Sequence, residues 1–224
     1  RYYYRTNGLV NLDKSNMPSY QPEAYQKPGC PIIVDLNGDG LITVEDVDMK
    51  NVIPSLYWGF GNTFTYKNWD LDVFIYSQLG VDKYNDVYSW TSGRGLGNQT
   101  NNMSVYIKDV WHSELNPNGT IPGIAYEMAS VSLPGGAGTD IGYENSSFVR
   151  VRNITLGYNF KPNQLGALSK LLSGIRVYVD VQNPFTFTGY TGLDPEVNTG
   201  GNYKGGKAEY PQTRTFSLGA KLSF

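Results

Sequence analysis

Between Leu56 and Leu79 the chain alternates apolar and polar residues twice, with one break. In Leu56 to Tyr66 the even positions read Leu, Trp, Phe, Asn, Phe, Tyr, and the odd ones Tyr, Gly, Gly, Thr, Thr. Lys67-Asn68 interrupts the pattern. From Trp69 the apolar set moves to odd positions: Trp69, Leu71, Val73, Ile75, then Ser77 and Leu79. A two-residue turn pairs Tyr66 with Trp69 on one face, so the switch of parity is what one continuous oily surface requires. The opposite face carries Asp70, Asp72, Tyr76 and Gln78. That polarity suits a wet lumen better than a dry sandwich core, and Tyr66 and Trp69 sit where a barrel places an interfacial aromatic girdle.

Three further stretches predict strands. From Arg214 to Phe224 the even positions are Arg, Phe, Leu, Ala, Leu, Phe, and the odd ones are small or polar. In Ile175 to Phe187 the odd positions are mostly apolar, while the even ones include Arg176, Tyr178, Asp180 and Gln182. Ser147 to Phe160 ends in a clean stripe of Ile154, Leu156, Tyr158 and Phe160, yet Arg150 and Arg152 share that parity while Val149 and Val151 oppose it. A bulge near Asn153, or a segment above the bilayer, would reconcile the two halves. Tyr2 to Val10 reads as the tail of another strand, so the chain is expected to begin inside a strand and to be a piece of a longer protein. Short connections (Lys67-Asn68; 161–173, with a helical turn expected around 165–172) alternate with long ones (80–145 and 188–210). That asymmetry separates the two sides of an outer-membrane barrel, with the long loops extracellular. The predicted fold is all-β: an antiparallel transmembrane β-barrel, of which residues 1–224 form the C-terminal part. About six strands fall short of the roughly eight that close a membrane barrel, and an open edge cannot face lipid. The rest of the wall is expected from chain beyond this sequence.

Composition narrows the function classes. A net charge of −2 gives a nucleic-acid partner no electrostatic support. No apolar run reaches the roughly 18 residues of a membrane-spanning helix, which leaves strands as the means of crossing lipid. Cys30 has no second cysteine to pair with, and His112 is the sole histidine. No serine stands in a Gly-x-Ser-x-Gly setting. Asp70, Asp72 and Asp180 show no acid/base pairing, so no enzyme is expected.

One segment carries metal chemistry. Asp35-Leu36-Asn37-Gly38-Asp39-Gly40-Leu41-Ile42-Thr43-Val44-Glu45-Asp46 places oxygen side chains at loop positions held by Asp35, Asn37, Asp39, Thr43 and Asp46. Gly40 stands at the sharp turn, and Leu41 would offer its carbonyl. Hard oxygen donors at this spacing suit Ca²⁺ in a structural role. Asp rather than Glu at the last position is dockerin-like. The same residues also suit a turn stabilised by its own side chains.

The segments Asp35–Gly40, Trp58–Leu71, Phe148–Tyr158 and Val181–Tyr190, with Gly192-Leu193-Asp194-Pro195-Glu196 and a closing Tyr210–Arg214, resemble the C-terminal barrel portion of SusC/RagA-type TonB-dependent transporters of the Bacteroidetes outer membrane. The long 80–145 stretch resembles them least. The resemblance implies a barrel of about 22 strands around a plug, with plug and TonB box upstream of this sequence. It implies a SusD-like surface lipoprotein as lid, energy from the TonB complex, outer-membrane lipid around the wall, and import of a glycan or peptide. Phe224 looks like a barrel-assembly terminus. Substrate or lid contacts are expected from aromatic residues of the long loops: Trp90, Trp111 and Tyr126 in the first, Tyr190 and Tyr203 in the second. A passive outer-membrane barrel or surface adhesin, and a secreted carbohydrate-binding β-domain, are the competing readings. A plug upstream would separate transporter from passive barrel.

Overall fold

The computed structural model describes residues 2–85, 88, 91, 103–123, 133–197 and 210–224. Its strands are β1 (Tyr2–Tyr4), β2 (Thr6–Leu9), β3 (Pro31–Ile33), β4 (Val47–Met49), β5 (Leu56–Tyr66), β6 (Trp69–Leu79), β7 (Asp82–Tyr84), β8 (Gly138–Thr139), β9 (Tyr143–Asn145), β10 (Phe148–Phe160), β11 (Gly174–Thr188) and β12 (Thr215–Ser223).

The five long strands form one antiparallel sheet in the order β12-β11-β10-β6-β5. Each long strand lies beside the next long strand in sequence, so the sheet is a meander, the topology of an up-and-down barrel wall. Its register stacks the alternating positions into rows. Tyr66, Trp69, Tyr158, Val177 and Ala220 form one row, and Phe64, Leu71, Leu156, Val179 and Leu218 the next. None of the outward residues Trp58, Phe60, Phe64, Tyr66, Trp69, Leu71, Val73, Ile75, Ile154, Leu156, Tyr158, Val177, Val179, Val181, Phe216, Leu218 and Leu222 is buried. Phe216 and Leu218 are 70% and 77% exposed, an apolar face that suits lipid rather than water. At the turn end Trp69 meets Tyr158 edge-on at 4.8 Å, and Tyr158 meets Phe160 at 4.7 Å.

The expected bulge falls at Arg152. Val151 pairs with Ile75, whereas Asn153 pairs with Phe74, so β10 gains one residue against β6. The extra residue reverses the parity of β10. Val149 and Val151 join the oily face beside Ser77 and Ile75, and Arg150 turns to the polar face between Tyr76 and Thr186. The 161–173 connection holds two short 3-10 turns, Pro162–Gln164 and Gly166–Lys170.

The N-terminal segment departs from the expected strand tail. Residues 2–10 hold two short pieces: β1 pairs with β4 and β8, and β2 pairs with β3. They belong to a compact layer at the long-loop end, because the chain passes from β4 into Leu56, which pairs with Leu79 beside the long loop. Tyr4, Tyr25, Cys30, Ile33 and Leu133 form its core. The alternation of residues 2–10 is too short to specify a membrane strand, and burial in this core decides the outcome. Burial also pushes the Cys30 thiol up to about 11, consistent with a packing role.

Candidate functional site

The inner face of the wall is laid out in ionic tiers. Nearest the short turns, the Arg176 guanidinium pairs with Asp70 and lies 3.8 Å from Asp72. Asp70 also accepts a bond from Asn159 at 2.6 Å. This pair spans β10 directly above Gly157, where a Cβ would stand 2.6 Å from Asp70 Oδ2 and 2.7 Å from Arg176 Nε. A Cβ there would push the bridge from its present position. Tyr178 lies over Gly219 in the same way, and its ring receives the Arg176 guanidinium at 5.0 Å. In the middle tier Asp180 accepts bonds from Thr155 at 2.6 Å and from Asn153.

The upper tier ties the wall to the second long loop. Arg150 is 2% exposed. Its Nη2 donates to both Asp194 oxygens at 2.9 and 3.0 Å, its Nη1 to Glu196 at 2.7 Å, and its Nε to Thr186 at 2.9 Å. Arg152, on the bulge, pairs with the other oxygen of Glu196. Asp194 further accepts the amides of Glu196 at 2.8 Å and Gln212 at 3.0 Å. Burial pushes the Asp194 carboxyl up, but the two amides and Arg150 outweigh it and hold it below the usual carboxylate range. That Arg150 and Arg152 share the parity of the oily stripe is a visible signal in the sequence. Their carboxylate partners, Asp194 and Glu196, lie more than forty residues away, and no spacing in the sequence links them to the arginines.

The Asp35–Asp46 loop lies on the long-loop side, where Tyr4 Oη donates to the carbonyls of Thr43 and Pro134. Gly38 and Gly40 take φ of +77° and +83°, which allows the chain to reverse. Asp35 accepts the amides of Gly38 at 2.7 Å and Gly40 at 2.8 Å, and Asp39 accepts that of Leu41 at 2.9 Å. Asn37 accepts the Asp39 amide at 3.0 Å. Each of these side-chain oxygens keeps a lone pair beyond the bond it accepts. Together with the Leu41 carbonyl and Thr43, they fit a hard cation chemically. Asp46 fits less well. It is buried at the end of the 3-10 turn Val44–Asp46, with one oxygen on the Leu36 amide and the other on the Thr43 amide, both at 2.8 Å. Among the described residues, no three His, Cys, Asp or Glu side chains cluster tightly enough to hold a metal by themselves.

Of the loop aromatics, Trp90, Tyr126 and Tyr203 lie outside the described residues. Trp111 packs its ring onto Gly29, and Tyr190 is buried over Gly192. His112 uses Nδ1 to accept the amides of Glu114 and Leu115 at 3.2 and 3.1 Å.

No protein-family model matches the chain. Several curated proteins align with most of it, two of them as follows. The TonB-dependent receptor SusC of Bacteroides thetaiotaomicron is 33% identical over 90% of this chain. TonB-dependent receptor P3 of Formosa agariphila is 31% identical over 88% of it. This chain spans 19% of the length of either relative. The solved RagAB peptide importer in its closed-closed state superposes with a TM-score of 0.69 at 22% identity, over 100% of this chain and 23% of that one. Its open-open state gives 0.67 at 23% identity, over 100% and 22%.

Proposed function

From the membership of this chain in the SusC/RagA-type TonB-dependent receptors of the bacterial outer membrane, as part of their barrel, we propose that the complete receptor imports a glycan or oligopeptide actively, using the TonB complex and a SusD-like lipoprotein lid. The observation that carries this reading is the five-strand wall, oily outside and ionic inside, coupled to SusC-like sequence over 90% of the chain. RagAB is a peptide importer, whereas the name of SusC specifies no cargo, so both cargo classes stay in the proposal. Lid and cargo meet the long-loop side, since the short turns offer no surface to grip a ligand. No step in this reading makes or breaks a covalent bond, in keeping with a transporter rather than an enzyme.

The test is uptake of labelled oligosaccharides and oligopeptides by cells with and without the receptor, in TonB-competent and TonB-null backgrounds. Uptake of at least one class should require both. Receptor-dependent uptake that persists without TonB would instead support the passive barrel.

Calcium belongs to the same proposal as a structural ion of the Asp35–Asp46 loop. Asp35, Asn37, Asp39, the Leu41 carbonyl and Thr43 would hold it, with Asp46 at the closing position of the loop. It would stiffen the loop that backs β1 and β4. Calorimetry on the purified receptor should show calcium binding that Asp35→Asn combined with Asp39→Asn removes. A flat titration of the wild-type protein would overturn it.

A further inference from the structure

A cavity of about 480 Å³ opens among the small strands of the long-loop end. Tyr88, Tyr106 and Tyr143 are among its lining residues, as are Asp140, Glu144 and Thr191. Its volume lies in the range of small-molecule sites. No Lys or Arg is among its described lining residues. Asp140 takes a bond from the Thr6 hydroxyl at 2.6 Å. Glu144 takes Asn85 Nδ2 at 2.9 Å, the Thr191 amide at 2.9 Å and the Thr191 hydroxyl at 2.8 Å. All of these donors are neutral.

Elsewhere the molecule treats many of its carboxylates differently. Asp48, Asp70, Asp194 and Glu196 each carry an arginine. Lys83 stands opposite Glu144 in the β7–β9 pair, yet its ammonium is directed to the carbonyls of Pro195 and Val197. The cavity is therefore a half-enclosed space with two carboxylates oriented by neutral donors and three tyrosine rings. The electron-rich ring faces attract cations, and the carboxylates supply charge that no described side chain of the pocket balances.

We propose that this cavity binds a primary ammonium group carried by the cargo. The inference rests on the import reading and deepens it by naming the recognised chemistry. Two sources supply that group, a lysine side chain of an oligopeptide and the free amine of an amino sugar. Ring and carboxylate recognise the same cation in both. Neutral or acidic cargo lacking the group would gain nothing from the pocket.

The experiment is calorimetric titration of the complete purified receptor with four probes. These are a terminally blocked tetrapeptide with one lysine, the same peptide with that lysine acetylated, a glucosamine trisaccharide, and its N-acetylated form. The free amine should bind at least about tenfold more tightly than its acetylated counterpart in one of the two pairs, and that pair identifies the source. Asp140→Asn combined with Glu144→Gln should abolish the preference, and Tyr106→Leu should weaken it with the charges left intact. Heat-modifiable migration checks that each variant still forms a barrel. Equal binding of both forms by the wild-type receptor, no binding of either, or a preference unchanged in the double variant overturns the proposal. TonB-dependent uptake is scored separately. Intact uptake without amine preference removes the site alone, and amine preference without TonB-dependent uptake removes the import reading alone.

Discussion

At the scale of single residues, Arg150 is the position where the most depends on one side chain. A buried guanidinium with two carboxylates is stable only as a set, because each charge left alone has lost its water without gaining a partner. Arg150→Ala should therefore cost about 3–5 kcal/mol, read as a lowered temperature at which the folded barrel loses its compact migration. Arg150→Lys should recover only part, since one ammonium cannot hold Asp194, Glu196 and Thr186 at once as the three guanidinium nitrogens do. The pH dependence follows from Asp194. Its carboxyl is held below the ordinary range, so its contribution is fully present above the unfolded carboxylate value of about 3.9 and is lost as pH falls through the lower folded value. Hydrogen exchange at the Glu196 and Gln212 amides should stay slow through mildly acid pH and accelerate only in stronger acid. Fast exchange at neutral pH would contradict this.

Among the elements, β10 is the strand on which the others depend. It pairs with β6 on one side and β11 on the other, and carries both the bulge and the Gly157 gap. Gly157→Val would drive a side chain into the Asp70–Arg176 bridge. We expect a loss of about 1–3 kcal/mol, measured by the same migration assay, with little change for Gly174→Val, whose Cβ would meet nothing closer than 3.7 Å. How far the sequence reveals each element follows from the range of its determinants. β5 and β6 are legible to the residue because alternation over a full strand and a two-residue turn leave one register. The bulge is legible because two arginines would otherwise have to face the oily side. β1 to β4 and β7 to β9 are not, because pieces of two to four residues carry no period, and partners such as Tyr4 and Leu133 meet only in the folded core. The clamp on Asp194 and the aromatic cavity escape the sequence for the same reason: each joins segments far apart in the chain.

For the molecule as a whole, the wall has two outer strands, β5 and β12, each with a single partner among the described residues. Their outward backbone groups cannot stay unpaired in hydrocarbon. Expressed alone, residues 1–224 should yield no heat-modifiable monomer in the outer membrane, whereas the complete receptor should. A stable inserted monomer of this segment would contradict the open-wall reading. The Asp194 carboxylate has one more consequence. Because it takes the Glu196 amide from one side and the Gln212 amide from the other, the chain between them leaves and returns at a single point. A span pinned in this way can change length or composition at small energetic cost, about 0.6 kcal/mol for each doubling. Evolution, or an engineer inserting an epitope, is thus free to rewrite what lies between residues 197 and 210 while the wall beneath keeps its register.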